Sequence, residues 1–411
     1  MTSSSDEAIP FHRPSLGDAE REAVIEVLDS GWLTTGARTV EFERAFAEFV
    51  GGAEAVAVNS ATAALHLAFE ALGVDEGDEV IVPTYTFAAS AETVLYQRAR
   101  PVLVDVDAVT VNADPAAVAA AIGPRTRAIE VVHVAGLPAD MPALLSAAGT
   151  IPIVEDTAHA FPSPIAALGG RFAGTIGRAG AYSFYATKTI TTGEGGMLVT
   201  DDPALADRAR TMRLHGIGRD DWKRYTDAGS WYYEIEAAGF KVNLTDVAAA
   251  IGLAQLQRAR ELRAARAAIA ARYLAGLADA ARDGLLTLPA VGAGDEHAWH
   301  LFIIRLRERA GSSDSVDLDL PGVAGLPPGL HALASRRARA IDGLRRAGIG
   351  TSVHFIPLHL HPLYRRMGYR AGQFPAAEAA YAGAISLPIW PGMTDAQVDR
   401  VIGAVLSNLP G

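Results

Sequence analysis

Between Ala55 and Asp156, short apolar runs alternate with longer stretches of helical periodicity, and few architectures accept that rhythm. A strand from Ala55 meets Asn59 and Ser60, and a helix opens at about Ala61 and runs to Leu72. Asp78–Phe87 reads as a strand followed by a polar, aromatic loop. Strands near Val102–Val106 and Ala128–Val134 alternate with helical stretches near Pro115–Ile122 and Met141–Ala148. Ile151–His159 is a short buried strand that ends in acidic residues. Strands separated by helices build a mostly parallel sheet with helices on both faces, an α/β fold. In such sheets ligands bind at the carboxyl ends of the strands.

The stretch Ser183–Gly196, SFYATKTITTGEGG, places one lysine, Lys188, between two β-prone runs, Ala181–Tyr185 and Met197–Thr200. A lysine facing a pocket there can lose its proton and act as an amine nucleophile toward a carbonyl. Glycines at 193, 195 and 196 would let a flat ligand approach closely. The bland alternative is a hairpin with a solvated lysine. Asp156, at the end of its strand, would point into the same crevice, although a helix N-cap is the plain reading of such a residue. Together, a lysine imine and an aspartate facing a pyridinium nitrogen are the two protein partners that pyridoxal phosphate (PLP) requires. Ser60 and Thr62, with the amides of the helix that opens at Ala61, would make an anion site for its phosphate, or Ser60 is a plain cap. Phe87 or Tyr85 would stack on a planar ring or fill the core.

The chain has 411 residues, enough for two domains. Its net charge of −11 argues against nucleic acid as a partner, because phosphate backbones need clustered Lys and Arg. It has no cysteine, which removes disulfides and thiolate metal sites and makes the cytoplasm the default location. The polar, acidic start lacks the features of a signal peptide, and no apolar run approaches the ~20 residues of a membrane span. Residues 1 to about 10 are expected to be a loose tail. Helices are expected over Leu16–Ser30 and Val40–Val50, stopped by Gly31 and by Gly51-Gly52. Thr245 to about Asp283 is helical for an unusual length without proline, which suggests one long helix bridging domains or joining a subunit interface.

Lone histidines at 133 and 159 sit near strand ends, where structural roles are commoner. His297 and His300 mimic a metal pair, but in the strand expected there they fall on opposite faces, so no metal is assigned. His354, His359 and His361 have no acidic cluster nearby and are expected in a pocket wall. Residues 310–334 read as a surface excursion.

The residues now resemble a known family, the DegT/StrS-type PLP-dependent nucleotide-sugar aminotransferases, from Phe11 to about Val405. The likeness rests on GWLTTG (31–36), NSATAAL (59–65), GDEVIVPTYTF (77–87), VEDTAHA (154–160), SFYATK (183–188), GEGG (193–196) and GFKVNLTD (239–246). The last of these, with His297-Ala-Trp-His300, is most similar to the UDP-4-amino-4-deoxy-L-arabinose aminotransferase branch. The resemblance implies the aspartate aminotransferase fold, type I. A three-layer α/β/α large domain would span 16–260, after a tail of 1–15. A smaller α+β domain would span 261–411, linked by the long helix of about 245–283.

By the same resemblance, Lys188 would bind PLP as an imine and move the proton, and Asp156 would pair with the ring nitrogen. His159 would lie near the ring hydroxyl and Phe87 against the ring face. Ser60, Ala61, Thr62 and Ser183 would hold the phosphate. Asn243 would reach the cofactor of a second subunit, which implies a homodimer with shared sites. Trp32, Thr34, Tyr185, Glu194, Lys241 and His354 would face the substrate. The reaction implied is ping-pong transfer of an amino group from glutamate, through pyridoxamine phosphate, to a keto sugar on UDP or dTDP. A 4-keto sugar is expected and a 3-keto sugar is the alternative. A PLP-dependent sugar dehydratase is opposed by Lys188, since such relatives carry His there. A non-catalytic regulator on the same fold is opposed by the intact Asp156, Lys188 and Asn243. Departures from the family pattern are residues 162–170, Thr189 in place of a frequent Asn, and an apparent insertion at 310–334.

Overall fold

The computed structural model describes residues 7–51, 54–217, 232–292, 297–308 and 315–409. The strands are β1 (Glu54–Val58), β2 (Glu79–Pro83), β3 (Arg100–Val104), β4 (Thr126–Val132), β5 (Ile153–Asp156), β6 (Pro164–Ile165), β7 (Arg171–Phe172), β8 (Ala179–Ser183) and β9 (Gly196–Thr200). β10 (Leu286–Thr287), β11 (Phe302–Leu306) and β12 (Ala384–Leu387) follow. The helices are α1 (Asp18–Ser30), α2 (Ala37–Val50), α3 (Ala61–Ala71), α4 (Ala88–Tyr96), α5 (Pro115–Ala121), α6 (Met141–Ala148) and α7 (Pro203–Met212). After them come α8 (Asp246–Gln257), α9 (Ala259–Gly276), α10 (Ala278–Arg282), α11 (His331–Arg346), α12 (Pro362–Arg366), α13 (Pro375–Gly383) and α14 (Asp395–Asn408).

Seven strands form one sheet in the order β1-β9-β8-β5-β4-β2-β3. The pairs from β8 through β3 are parallel, and β9 runs against both of its neighbours. The alternation of side chains assigns each strand residue to a face. Val80 and Val82 pack with α3, α4 and α7, while Ile81 packs with α5 and α6. Likewise Val56 and Val58 face one layer, and Ala55 and Ala57 face the other with α2 and α8. The sequence therefore buries both faces of its sheet, as parallel strands require. A second core lies around the antiparallel sheet β10-β11-β12, between α9, α11, α13 and α14.

Three expectations change. The long helix over 245–283 is three helices, α8, α9 and α10, hinged at Arg258 (φ −99°, ψ 1°) and Leu277 (φ −106°, ψ 2°). Alanine-rich sequence permits continuation, but tertiary packing decides: α8 is held against α1 and α2, and α9 against α14. The start of the chain is not loose over its described part. Ile9 is buried, its N–H donates to the Gly348 carbonyl, and its carbonyl accepts from Gly350. Finally, the strand expected from His297 begins only at Phe302, because Trp299 takes a positive φ of 52° that an extended strand excludes.

Residues 310–314 of the expected excursion lie outside the described residues. The described remainder is turns from 318 to 326, a short 3₁₀ segment at Pro328–Leu330, and then α11. No helix among the described residues is long and apolar enough to cross a membrane.

Candidate active site

Lys188 is carried by the loop 184–195, which joins the antiparallel strands β8 and β9. The loop is anchored in the core and by hydrogen bonds. Phe184 is fully buried, with its ring centroid 5.2 Å from Phe42 and 5.4 Å from Phe46. Burying such a side chain stabilises by roughly 1.5–3 kcal/mol. The Phe184 carbonyl accepts from the Thr192 N–H at 2.9 Å and from the Thr191 hydroxyl at 3.0 Å. Two distant side chains brace the residues before the lysine. His12 Nε2 donates to the Ala186 carbonyl at 2.7 Å, and Arg266 on α9 donates to the Thr187 carbonyl at 3.3 Å.

A cavity of about 570 Å³ opens at the carboxyl ends of the strands. Ser60, Ala61, Thr62, Phe87, Asp156 and His159 line it, and so do Ser183, Tyr185, Lys188, Glu194 and His354. The pairing of β5 with β8 brings Asp156 alongside Ala181, two residues before Ser183. Asp156 is buried and accepts from the Ala158 N–H at 3.0 Å and the Ser90 hydroxyl at 3.1 Å. Burial raises its pKa, while Ala158, the Lys188 charge and Ser90 pull it back. Burial draws Lys188 down to about 8, opposed by Asp156 and reinforced by the buried Arg266. At neutral pH the amine therefore has ready access to its unprotonated, nucleophilic form.

Ser60 is both cap and lining residue. Its Oγ accepts from the Ala63 N–H at 3.1 Å, and α3 begins at the cavity wall. Opposite it, Gly196 lies so close that an added Cβ would stand 2.4–2.6 Å from the Ser60 carbonyl and the Ala61 nitrogen. This glycine thus admits the chain's own backbone rather than a ligand. An added Cβ at Gly195 would meet Thr192 Oγ1, again a contact within the protein.

Four expected residues lie outside the cavity. Asn243 Nδ2 donates to Thr35 Oγ1 at 2.6 Å, and Lys241 Nζ donates to Asn243 Oδ1 at 2.5 Å. The Thr34 carbonyl accepts from the Asp246 N–H at 3.2 Å, and Trp32 Nε1 donates to the Thr35 carbonyl at 3.1 Å. Trp32 belongs to a separate pocket with Arg38 and Asp246. Phe87, expected against a ring face, caps α4 at the rim and is 63% exposed.

The histidines divide. His133 pairs with Glu155 on the other side of the sheet. His359 bridges Thr84 and Glu378 at 2.8 and 2.7 Å, and His361 opens α12, so neither reaches the cavity as a pocket wall. His354 does. His297 stacks on Trp299, centroids 3.8 Å apart, whereas His300 turns to Lys188, with Nε2 3.4 Å from Nζ. His300 also packs on His159 at 4.4 Å, and His159 stacks on Phe355 at an interplanar angle of 12°. The Ala135 N–H donates to His159 Nδ1 at 3.3 Å, which leaves the ring proton on Nε2. Burial, and then the Lys188 charge, hold His159, His300 and His354 below the usual imidazole range.

Sequence reasoning missed His300 as a neighbour of Lys188, together with Ser90, Thr187 and Phe355. Ser90 lies in the first turn of α4, and its hydroxyl meets that of Thr86, just before the helix, at 2.8 Å. The cavity suits PLP on its own geometry. A depressed lysine, a buried carboxylate and a helix N-terminus with hydroxyls converge on one space large enough for a flat ring with one phosphate.

A sequence profile of the DegT/DnrJ/EryC1/StrS aminotransferase family matches residues 14–320 and 329–406. The break at 321–328 falls in the expected insertion. The spore coat polysaccharide biosynthesis protein SpsC of Bacillus subtilis is 42% identical over 415 residues, spanning 100% of both chains. The aminotransferase TlmJ of Streptoalloteichus hindustanus superposes with a TM-score of 0.84 at 36% identity, over 98% of this chain and 99% of its own. Spr1654 of Streptococcus pneumoniae, named as a sugar aminotransferase, gives 0.84 at 32% identity over 98% and 97%, and has been solved in PMP and PLP forms. Matched along nearly its whole length, the chain belongs to the DegT/DnrJ/EryC1/StrS aminotransferase family and is a PLP-dependent sugar aminotransferase.

Proposed function

We propose that the protein moves an amino group from glutamate to a 4-keto sugar carried on UDP or dTDP, by ping-pong transamination. The observation that carries the reading is the presence of Lys188, with its lowered pKa, and buried Asp156 in one cavity at the start of α3. When bound, PLP supplies an electron sink for a carbanion. Asp156 would accept from the ring nitrogen and keep it protonated, and Ser90 and the Ala158 N–H keep the aspartate in place. Ser60, Ala61, Thr62 and Ser183 bind the phosphate. Lys188 Nζ would hold PLP and would be the base that moves the proton. His159, whose Nε2 bears the ring proton, orients the ring hydroxyl. Tyr185, Glu194 and His354, at or near the cavity mouth, are placed for the sugar. The acceptor class rests on the sequence likeness of 239–246 and 297–300 to 4-keto sugar enzymes.

Asn243, Lys241, Trp32 and Thr34 lie outside their own cavity, and we place them at the site of a second subunit in a homodimer. Two measurements test this reading. Glutamate added to the PLP-loaded protein should convert the lysine-bound band near ~420 nm to one near ~330 nm, and 4-keto nucleotide sugars should reverse it faster than 3-keto ones. Lys188→Ala should lose turnover entirely, and a fully active variant would sink the mechanism. Mixing Lys188→Ala with Asn243→Ala protomers should restore activity that neither parent has, because each mixed dimer holds one intact site. No recovery in a demonstrated mixed dimer would place Asn243 in its own subunit's chemistry or outside catalysis.

A further inference from the structure

Glu130 sits in the middle of β4, and neither of its buried carboxyl oxygens has a hydrogen-bond partner among the described residues. In the parallel pairing of β4 with β5, Glu130 lies opposite Val154 and Val132 opposite Asp156. Paired residues of adjacent strands point to the same side, and so do residues two apart, so Glu130 and Asp156 share a face. That face is covered by the apolar layer of α3, α4 and α12. The polar groups that bear on Glu130 from those elements are few. Ser90 comes from α4, and Tyr364 comes from α12 with its own buried, unpartnered hydroxyl. Glu92 of α4 acts on Tyr364 as well. His133 lies on the other face, bonded to Glu155.

An ionised carboxylate with no donor does not persist in such surroundings; it takes up a proton. Two carboxyls in one dry space hold a single charge between them. Asp156 has the Ala158 N–H, the Ser90 hydroxyl and the Lys188 charge to support that charge, whereas the donor that bears on Glu130 is the same Ser90 hydroxyl, whose single proton is given to Asp156 at 3.1 Å. We propose that Glu130 is a positioning residue for the cofactor: it stays un-ionised behind Asp156, so that the one negative charge of the pair sits on Asp156, facing the ring nitrogen. This rests on the assignment of Asp156 given above. Burial first, and then the Asp156 charge, push the Glu130 carboxyl well above its ordinary range, against a smaller pull from the Ser90 hydroxyl. The folded protein therefore holds this proton more tightly than the unfolded chain does, and unfolding between the two pKa values releases it.

The experiment is infrared spectroscopy of the holoprotein with carbon-13 glutamate, in the wild type and in Glu130→Gln. The expected result is the carbonyl stretch of an un-ionised glutamic acid at neutral pH, absent from the variant. The band should also shift when PLP is removed and the ring's charge is withdrawn from Asp156. A glutamate that only fills space would not respond to the cofactor. An absent band, or one indifferent to PLP, overturns the proposal. Stability between the unfolded pKa of Glu130 and its raised folded value gives a second readout. The unfolding constant should rise up to about tenfold per pH unit more steeply in the wild type than in Glu130→Gln. Should that variant not fold, the labelled wild type decides alone. A failure of the underlying assignment looks different: Asp156→Asn would keep full PLP affinity while the Glu130 band stayed in place.

Discussion

Glu155 and Glu130 are both fully buried glutamates on neighbouring strands, and the sheet separates them into opposite chemistries. Glu155 faces α5 and α6, where its carboxylate accepts from the N–H groups of Gly174, Ile176 and Gly177 at 2.8, 2.7 and 2.6 Å. His133 adds a fourth bond at 3.0 Å. Because the Ala139 N–H donates to His133 Nδ1, the ring proton lies on Nε2 and points at Glu155. Burial pushes Glu155 up, yet His133 and the backbone donors outweigh it and leave its pKa below the ordinary value. Glu130, with burial and a like charge beside it, goes the other way. Burial alone does not set a charge state; the donors around the group do.

The largest break in this comparison is Glu155→Ala. It strands three backbone donors and an imidazole, and removing one partner of such a buried set costs about 3–5 kcal/mol. Chemical denaturation measures it, and a loss under about 1 kcal/mol would mean that water replaces the carboxylate. The two glutamates also act at opposite ends of the pH scale. The stability that Glu155 contributes is present above its unfolded pKa and is lost as pH falls through its depressed folded value. For Glu130, stability is full below the unfolded pKa and is lost as pH rises through the raised folded value. Replacing each with Gln should flatten the stability profile on its own side only.

How legible this was from sequence follows the same division. The sheet, its parallel core and the convergence of Lys188 with Asp156 were readable, because side-chain period and strand–helix order are local signals. Glu155 and Asp156 could both be read as a strand's acidic end. Nothing local says that Glu155 turns toward residues 174–177 while Asp156 turns to the cavity, although the strand's period of two makes their faces opposite. His300 was legible only as half of a false metal pair, since its approach to Lys188 depends on the positive φ of Trp299. The division of 245–283 into three helices was hidden because the packing of α8 and α9 on different partners, not helix propensity, sets the hinges. Glu130 was passed over inside an apolar run, where a single acid is the informative residue.

A smaller effect sharpens the comparison from the cofactor side. Ser90→Ala removes one donor from Asp156 without touching Glu155. A hydrogen bond to a charged group contributes about 1.5–3 kcal/mol, so PLP affinity should fall roughly 10-fold or more while the unfolding of the cofactor-free protein changes little. Equal affinity in the variant would show that the Ala158 N–H and Lys188 suffice to hold Asp156.

The smallest effect tests whether the space around Glu130 is dry. Tyr364 is buried with an unpartnered hydroxyl, whereas Tyr273 donates to the Pro388 carbonyl at 2.7 Å. Tyr273→Phe should cost about 1 kcal/mol, the net contribution of a satisfied bond. Tyr364→Phe should be neutral or stabilising by up to about 1 kcal/mol, because it removes a polar group that finds no acceptor. A clear loss of stability in Tyr364→Phe would reveal a water bridging that hydroxyl to its surroundings. Such a water, if it also reached Glu130, would offer the carboxyl a donor and weaken the reason for its un-ionised state, so the sign of this small number bears directly on which of the two buried glutamates carries charge.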